Sequence, residues 1–502
     1  MSEVKGVTSA EVAGAGYVNI SVDSTVLLTG LITAMDDCTP SPSRKEAPVI
    51  VDYSAPNIAK PLGIHHILST VIGQSLVNLH RHLGYTVLGI NHLGDWGTQF
   101  GKLAVGLQRW GTKPLAECSL DDLLALYVRF HEEAEKHPEL EDEGRDAFRK
   151  IEQGDPELKA FWTQVVQITL KELDHMYARL QVSFEHLHGE SFYQDKMAPI
   201  VAEGKKKGVF TPGKEGALIV EFAEDTKLAP AVVVKGDDAT IYLTRDLATA
   251  RYRIDTFAPQ SILYVVDVAQ AYYFRQLFQT LTMLGWELPH MEHVVFGRMS
   301  FKDRKMSTRK GNILKLEHVL DEAVARAEEV IAERGESIQT DNPTELAEMM
   351  GVGALVYGIL SQNRKMDMVF DWGKMLSFEG NSAPYLQYTY ARAKSVLRKG
   401  GVEGKEVVVG DIETLTPHER RLFAHLLQFS SVLEEARAEK LPHKLANFLY
   451  QLAQFYNAFY NSDSILDAEE PQRGLRLRLT SLTAAVLQAG AHLLTLRVPE
   501  RM

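Results

Sequence analysis

Two kinds of hydrophobic pattern divide the chain into an α/β part and a helical part. From Ala47 an apolar run, PVIVDYS, is followed by a loop, a helical stretch that reaches Gly84 and a second apolar run, TVLGIN. The helical stretch repeats apolar residues at intervals of three and four, which predicts one buried face. These residues are Ile67, Val71, Ile72, Leu76 and Leu79. Two apolar strands joined by a helix predict a βαβ unit of a parallel sheet, a unit that commonly opens a nucleotide-binding fold.

The middle of the chain predicts an interruption of this sheet. Residues 104 to about 225 are rich in charged helical sequence, and strand-like runs resume only afterwards, as APAVVVK, TIYLT, SILYVVD and HVVFG. A helix, AQAYYFRQLFQTLTMLGW, lies among these runs. We therefore expect one α/β domain over residues 46–350 with a helical insertion at about 104–225. Residues 1–45 contain a single strand signal, GYVNISV, and an exposed connector, SPSRKE.

Beyond Asn312 the pattern is almost entirely helical. The run LPHKLANFLYQLAQFYNAFY repeats apolar residues at three and four, which is typical of an amphipathic helix packed in a bundle. These residues are Leu441, Leu445, Phe448, Leu449, Leu452, Phe455 and Phe459. We expect a helical connector over residues 351–384 and a helical domain over residues 385–502.

Composition and charge narrow the class of protein. The 502 residues are 45% hydrophobic and 24% charged, and the net charge of −12 excludes a wholly basic nucleic-acid coat protein. Any polyanion must therefore meet a local basic patch. Cys38 and Cys118 are the only cysteines, and no run of about 18 apolar residues occurs. We expect a cytoplasmic protein that does not span a membrane.

The segment APNIAKPLGIHH, residues 55–66, lies where the first predicted strand passes into the first helix. Unpaired N–H groups at a helix start and the positive end of the helix dipole stabilise a phosphate there. Lys60 adds a full charge, and His65 and His66 add donors. The alternative is a proline-punctuated helix start with two solvated histidines.

The segment FKDRKMSTRKGN, residues 301–312, carries five cationic side chains against one carboxylate, Asp303. With Ser, Thr and Gly between the cations, it predicts a loop able to close on a polyphosphate. The alternative is a solvated charged face. Together with the upstream βαβ unit, the segment indicates ATP chemistry at the α-phosphate that depends on electrostatic stabilisation and positioning.

Several longer motifs carry a resemblance to a known family. APNIAKP precedes the first helix, NHLGDWGTQFGKL follows the second strand, and YLTRDLATARYR, KMSTRKGN and a terminal RVPERM occur further on. Over residues 47–502 the chain resembles the class I arginyl-tRNA synthetases. The resemblance implies a Rossmann-type catalytic domain over residues 46–350 and a helical-bundle anticodon-binding domain over residues 385–502. It also implies that residues 1–45 are the remnant of an N-terminal tRNA-binding domain.

The activity that the resemblance implies is that of an arginine-tRNA ligase. Such an enzyme activates arginine with ATP and Mg²⁺ to arginyl-adenylate and then transfers arginine to the 3′ end of arginine tRNA. The resemblance also implies a monomer and an activation step that needs bound tRNA. The alternative is a non-catalytic tRNA-binding or regulatory relative, which the altered GIHH segment and the short N-terminal region would fit. The joint presence of the substrate motifs favours the enzyme.

The resemblance assigns the arginine-binding residues by position. They are Asp52, Asn57, Tyr242, Asp246 and Gln270. Chemistry supports Asp246 independently, because a planar, permanently charged guanidinium is best met by a two-pronged contact with a carboxylate. The alternatives are that Asp246 caps the following helix and that Asp52 is a carboxylate at a strand end.

The resemblance also assigns the ATP-binding and catalytic residues. The ATP-binding residues are Gly63, His65, His66, Lys305, Met306 and Ser307, and the catalytic residues are Lys60, His66 and Lys305. Lys60 is taken to compensate for Thr308, which stands at the second lysine of the KMSK-type signature. No metal site is predicted beyond the Mg²⁺ that accompanies the nucleotide.

Three positions depart from the family pattern. Gly63 and His65 stand in the reverse of the usual histidine and glycine order, and Tyr273 stands where a histidine is usual. The glycine normally lets adenine approach the backbone closely. His65 therefore either obstructs the base or, if the helix starts one residue later, serves as a phosphate donor.

The C-terminal region resembles an anticodon-binding domain. Unstacked RNA bases are read by aromatic stacking and by hydrogen bonds to their edges. Tyr456, Tyr460 and Arg497 are candidates for this contact by residue type, and the alternative for each aromatic residue is core packing.

Overall fold

A computed structural model describes residues 7–14, 16–22, 38–236, 241–301, 314–405, 407, 409, 412 and 414–502. Its strands are β1 Val7–Ala13, β2 Tyr17–Val22, β3 Val49–Asp52, β4 Val87–Asn91, β5 His186–Leu187, β6 Phe210–Pro212, β7 Leu218–Val220, β8 Ala231–Val234, β9 Ser261–Tyr264, β10 His290–His293, β11 Met299–Phe301 and β12 Met368–Phe370.

The α-helices of the described residues are α1 His66–His82, α2 Thr98–Trp110, α3 Leu120–Ala134, α4 Glu139–Glu152, α5 Pro156–Leu180, α6 Gln194–Lys206, α7 Tyr242–Phe257, α8 Ala271–Met283, α9 Leu316–Arg334, α10 Pro343–Leu360, α11 Trp372–Met375, α12 Ala383–Lys399, α13 Pro417–Leu426, α14 Phe429–Glu439, α15 His443–Ser462 and α16 Gln472–Leu493. Short 3₁₀ helices cover Leu115–Glu117, Glu190–Tyr193, Lys214–Gly216, Glu224–Thr226, Val268–Gln270 and Gly335–Ser337.

A five-stranded sheet, in the order β10, β9, β3, β4 and β5, forms the centre of the α/β region, and every pairing in it is parallel. All four residues of β3 are buried, as expected of a strand in a parallel sheet covered on both faces. Val49 pairs with Val87 and Asp52 with Ile90, so β3, α1 and β4 form a βαβ unit. The predicted unit is confirmed.

Three of the predicted strands differ in the structure. The prediction for TIYLT is wrong, because α7 begins at Tyr242 and buries Leu243 and Leu247 on one helical face. HVVFG contributes only its first residue, His293, to β10. APAVVVK does form a strand, β8, but it pairs antiparallel with β7 in a separate three-stranded sheet. Short apolar runs do not show which structure buries them, so tertiary packing decides.

The segment predicted as a helical insertion, residues 104–225, contains α3 to α6 and most of α2. It also contains β5, whose His186 pairs with Ile90 at the edge of the central sheet. The segment also contains β6 and β7, and all three strands are too short to show alternation in the sequence. The helical insertion and its bounds stay a prediction.

Helices α12 to α16 form the C-terminal part of the chain, as the sequence predicts. The predicted apolar face of α15 is confirmed, with Phe455 half-buried and its other side chains buried, whereas Leu441, also buried, precedes the helix. These buried side chains are Leu445, Phe448, Leu449, Leu452 and Phe459. Strand β12 returns to pair with β11, so the connector region is not entirely helical.

The domain boundaries at residues 45, 350 and 384 stay predictions, and the boundary at 350 falls inside α10. In the described parts of the chain, no helix has both the length and the apolar character that a membrane crossing requires.

Candidate active site

The carboxyl ends of β3, β4 and β9 share one edge of the central sheet, because the three strands are parallel. β3 ends at Asp52, β4 at Asn91 and β9 at Tyr264. In open parallel sheets, ligands bind in the crevice outside the carboxyl ends of the strands. The residues that follow these three strands therefore make up the candidate site.

The loop after β3 has an unusual backbone. Ser54, Ala55 and Ala59 have φ angles of 73°, 49° and 66°, in the left-handed region that residues with a Cβ rarely adopt. The amide of Ser54 donates to Oγ of Ser69 at 2.9 Å, and that of Ala55 donates to Oδ1 of Asn91 at 3.0 Å. Such backbone strain persists where the surroundings over-determine the conformation. The loop is thus held in one shape at the sheet edge.

Asn57 lies in this loop beside the segment that follows β4. The amide of Ile58 donates to the carbonyl of Gly94 at 3.1 Å, and the amide of Gly94 donates to the carbonyl of Pro56 at 3.0 Å. A Cβ at position 94 would lie only 2.3 Å from Oδ1 of Asn57. The glycine therefore leaves room for the exposed Asn57 side chain.

Helix α1 begins at His66, one residue later than a start at His65 would require. Nδ1 of His66 lies 3.1 Å from the amide nitrogen of Gly63, and its ring centroid lies 4.0 Å from that of the exposed His65. Burial lowers the pKa of His66 to about 3, and the neighbouring His65 adds to this effect. Burial also lowers the pKa of His65, although Asp267 acts against it. Both rings are therefore neutral at neutral pH and offer N–H donors without a charge.

Lys305, Met306 and Ser307 lie outside the described residues. The chain is described again from Leu314, and there it pairs with the segment before α1. The amide of Ile64 donates to the carbonyl of Leu314 at 2.9 Å, and the amide of Leu316 donates to that of Leu62 at 2.8 Å. The segment that follows KMSTRKGN is thus joined to the backbone at Gly63.

Lys60 is half-buried in the segment between β3 and α1. Its Nζ lies 4.8 Å from the ring centroid of Tyr127 on α3. Burial lowers the pKa of Lys60, and no carboxylate among the described residues acts against this shift. A half-buried ammonium that faces only an aromatic ring favours an anionic ligand.

Asp246 lies on α7 and accepts a hydrogen bond from the hydroxyl of Tyr273 on α8. Burial raises the pKa of Asp246 to about 6, and this shift is opposed by Tyr273 and reinforced by the negative charge of Asp52. Because α7 begins at Tyr242 with Ile241 as its N-cap residue, Asp246 lies in the second turn. The alternative that Asp246 caps this helix is therefore wrong.

Glu190 is a second carboxylate near Asp246. It forms a 2.8 Å ion pair with Arg245, and both side chains are largely buried. Burial raises the pKa of Glu190 to about 7, while Arg245 opposes the shift and the charges of Asp246 and Asp95 reinforce it. Ionisation of this group is therefore incomplete at neutral pH in the absence of a further cation.

Asp52 and Arg253 form a buried ion pair. Nη1 of Arg253, which is completely buried, donates to Oδ2 of Asp52 at 2.7 Å. Asp95, also buried, accepts bonds from the amide of Ser191 at 2.8 Å and from its hydroxyl at 2.6 Å. The second oxygen of Asp52 is not part of the bond to Arg253.

We call Asp52, Asp95, Glu190 and Asp246 the carboxylate cluster. Two arginines, Arg245 and Arg253, oppose its four carboxylates, so two negative charges remain when every group is ionised. Burial raises the pKa values of Asp246 and Glu190, and repulsion from neighbouring carboxylates adds to the shift, so full ionisation of the cluster is unfavourable in the free protein. A bound cation would relieve it.

Tyr242 and Gln270 lie at the helix starts beside the carboxylate cluster. The Tyr242 ring is 71% exposed and lies 5.8 Å from the guanidinium carbon of Arg245. Gln270 is exposed at the end of a 3₁₀ helix, immediately before α8 and three residues before Tyr273. Both side chains remain accessible to a ligand.

A cavity of about 730 Å³ lies among the C-terminal helices. Its lining includes Tyr388, Arg392, Arg398, Lys399 and Tyr460. Such a lining combines cations with partly exposed aromatic rings. We call this space the base cavity.

The three C-terminal residues predicted by type have different surroundings. Tyr456 is buried in the core, which supports the alternative of core packing, whereas Tyr460 is 39% exposed and lines the base cavity. Arg497 lies 3.9 Å from a carboxylate oxygen of Glu345.

Two family models match this chain. The chain matches the family described as tRNA synthetases class I (R), catalytic domain, over residues 32–372, and a DALR anticodon binding domain over residues 386–502. The chain belongs to the arginine family of class I tRNA synthetases. The catalytic-domain match covers the carboxylate cluster and the start of α1, and the DALR match covers every lining residue of the base cavity except Gln339.

Relatives with assigned names support this family. The arginine–tRNA ligase of Fusobacterium nucleatum is 40% identical over 98% of this chain and 86% of its own length. That of Clostridium perfringens is 41% identical over 97% of this chain and 86% of its own length. The arginyl-tRNA synthetase of Thermus thermophilus superposes with a TM-score of 0.85 at 25% identity, covering 99% of this chain and 89% of that structure. These likenesses favour an enzyme of this synthetase family over a non-catalytic relative.

Sequence reasoning missed four charged residues of the synthetase site: Asp95, Glu190, Arg245 and Arg253. Arg253 follows Asp246 by seven residues, a spacing that places both on one face of a helix, and this signal was available. Glu190 lies far from the other members in sequence and carries no spacing signal. Tyr273, noted only as a departure, is the hydrogen-bond donor to Asp246.

Proposed function

We propose that this synthetase joins arginine to arginine tRNA in two steps. The arginine carboxylate attacks the α-phosphate of ATP and pyrophosphate leaves, and a hydroxyl at the 3′ end of the tRNA then displaces AMP from arginyl-adenylate. The observation that carries the proposal is the carboxylate cluster, whose excess negative charge attracts a guanidinium substrate. The names of the relatives support the same reaction.

Asp246 is the proposed ligand of the substrate guanidinium, and Glu190 contributes charge beside it. A charge-assisted hydrogen bond of this kind contributes roughly 1.5 to 3 kcal/mol, enough to reject an uncharged analogue such as citrulline by roughly tenfold or more. Tyr242 and Gln270, both exposed beside the cluster, remain proposed arginine contacts, as does Asn57. Asp52 also remains one, through the oxygen that Arg253 leaves free.

The start of α1 is the proposed ATP site. Gly63, His65 and His66 lie at the positive end of the helix dipole, and Lys60 adds a charge that has no carboxylate partner among the described residues. His65 is exposed, which fits the proposed role of a phosphate donor better than that of a buried obstruction. Lys305, Met306 and Ser307 stay proposed ATP contacts on the strength of the family motif.

Magnesium is proposed to arrive with the nucleotide. In the described part of the chain, no group of three His, Cys, Asp or Glu side chains could hold a metal ion. Mg²⁺ commonly keeps its waters and binds through substrate phosphates.

The base cavity is the proposed site of an unstacked tRNA base. Tyr460 offers a ring on which a base can stack, and Arg392 offers donors to a base edge. The cavity lining holds four cationic side chains, Arg392, Arg398, Lys399 and Arg501, against two carboxylates, Asp463 and Asp467. Its side chains therefore carry a net positive charge in a chain whose net charge is −12, as contact with a polyanion requires.

We place the reaction in the cytoplasm and propose a monomer as the working unit. The chain has only two cysteines, Cys38 and Cys118, and this rarity fits a reducing compartment. The proposal of a monomer rests on the family resemblance.

Charging of tRNA with labelled arginine tests the proposal. We expect the unaltered protein to charge tRNA only when ATP is present, which would make GIHH a working form of the phosphate-binding helix start. The double substitution Gly63→His, His65→Gly restores the usual order of the motif and serves as the comparison. Failure of both proteins to charge tRNA would refute the proposed activity, and rescue by the double substitution would locate the defect at the helix start.

A further inference from the structure

The guanidinium of Arg392 in the base cavity is held before any ligand arrives. Its Cζ lies 4.8 Å from the ring centroid of Tyr388 and 4.9 Å from that of Tyr460. Nη2 donates to the Tyr388 hydroxyl at 3.3 Å, and Nη1 donates to Oδ1 of Asn457 at 2.6 Å. The bond to Asn457 is the shorter of the two hydrogen bonds.

The side-chain amide of Asn457 is itself held by further hydrogen bonds. Its Nδ2 donates to the hydroxyl of Tyr385 at 3.1 Å and to Oγ1 of Thr389 at 3.0 Å, and the Thr389 hydroxyl donates to the carbonyl of Tyr385 at 2.8 Å. An amide has one accepting and one donating end, so Arg392 on one side and two hydroxyls on the other select a single orientation. Asn457 is half-buried and is not part of the cavity lining, so any effect on a ligand is transmitted through Arg392.

We propose that Asn457 is a positioning residue that fixes Arg392 for the recognition of one tRNA base. This inference rests on the proposed role of the base cavity. A long arginine side chain that is already immobilised spares binding the cost of ordering it. A guanidinium held in one plane also presents its remaining N–H groups only to a base edge with matching acceptors, so the arrangement discriminates between bases as well as adding affinity.

Asn457→Leu tests the inference, because leucine is close to asparagine in size but makes none of the three hydrogen bonds. The variant is assayed with a set of arginine tRNA transcripts, in each of which one anticodon base is replaced. We expect the KM for the parent tRNA to rise, with kcat and the KM values for arginine and ATP unchanged. At one anticodon position, the preference for the parent base over its replacements, measured as kcat/KM, should fall roughly tenfold. A merely structural role would lower charging of all transcripts alike.

Asn447→Leu is the matched control, since Asn447 is exposed on the same helix, ten residues earlier and outside the cavity lining. We expect it to behave like the unaltered protein. If Asn457→Leu fails to fold, Tyr385→Phe removes only one anchor of the amide and should reduce the same preference by a smaller factor. Unchanged base preference in both Asn457→Leu and Tyr385→Phe would overturn the inference.

Arg392→Leu separates this inference from the function on which it rests. If Asn457 acts only through Arg392, adding Asn457→Leu to Arg392→Leu should cause no further loss of base preference. A further loss of similar size in the double variant would overturn the positioning role. No effect of Arg392→Leu itself would refute both the base cavity and the inference, whereas an effect of Arg392→Leu without one of Asn457→Leu would refute the inference alone.

Discussion

Replacement of Asp246 by asparagine should weaken arginine binding and at the same time stabilise the fold. Asparagine keeps an oxygen that can accept the bond from Tyr273 but removes the negative charge beside the proposed guanidinium site. Loss of one charge-assisted hydrogen bond costs about 1.5 to 3 kcal/mol. We therefore expect the KM for arginine to rise roughly tenfold to a hundredfold, with the KM for ATP unchanged.

The stability effect follows from the raised pKa of Asp246. The folded protein holds this pKa at about 6, against an ordinary value of 3.8. Ionisation therefore costs folding free energy at pH values above the folded pKa, and the cost disappears below the unfolded pKa. Each pKa unit corresponds to about 1.4 kcal/mol, and the partial exposure of Asp246 reduces the full effect. We therefore expect the free energy of unfolding of Asp246→Asn to exceed that of the unaltered protein by about 1 to 2 kcal/mol at neutral pH. Below about pH 4 the gain should vanish.

Two measurements check this prediction: arginine charging over a range of arginine concentrations, and denaturant unfolding at neutral pH and below pH 4. Asp255→Asn is the matched control, because Asp255 lies on the same helix in an exposed 2.7 Å pair with Arg251. An exposed pair contributes about 1 kcal/mol or less, so the control should change little. An unchanged KM for arginine in Asp246→Asn would refute the guanidinium contact, and lower stability at neutral pH would refute the charge argument.

Three further predictions concern neighbouring residues. Since burial holds the pKa of Glu190 at about 7, the KM for arginine should fall as the pH rises from about 6 to 8, and Glu190→Gln should flatten this profile in charging assays. Gly94→Ala should displace the Asn57 side chain and raise the KM for arginine roughly threefold to tenfold without loss of thermal stability. Gly106→Ala is the control, because a Cβ there meets only ordinary contacts, and it should leave the KM for arginine unchanged. Equal effects of the two substitutions on this KM would contradict the argument. Lys60→Met should lower kcat/KM for ATP roughly tenfold or more. It should not lower the melting temperature, because the half-buried charge of Lys60 has no carboxylate partner among the described residues. Unaltered ATP kinetics would count against a role of Lys60 in ATP binding.

Much of the candidate site could be predicted because its members stand in short motifs. Asp246 and Tyr242 share one helical segment, and Gly63, His65 and His66 share one helix start, so their local order is visible in the sequence. The protonation states of these residues cannot be predicted from the sequence. The pKa of Asp246 depends on burial and on Asp52, which comes from another strand nearly two hundred residues earlier.

The other members were hidden because only folding brings them together. Glu190 reaches the carboxylate cluster from a 3₁₀ helix after β5, a strand too short to be predicted. In the sequence, Asn457 is one polar residue on an amphipathic helix. Its hydrogen bonds to Arg392 and Tyr385 join it to a different helix, and only the tertiary structure forms them.

The sequence by itself determined the βαβ unit around β3 and β4, the amphipathic face of α15 and the motifs of the synthetase family, since each is a pattern of near neighbours along the chain. Tertiary structure alone decided that TIYLT enters a helix, that β8 leaves the central sheet and that four carboxylates share one site. The reason is physical. Periodicity shows which face of an element is buried, whereas strand partners, desolvation and charge balance depend on residues that folding brings close from distant parts of the chain.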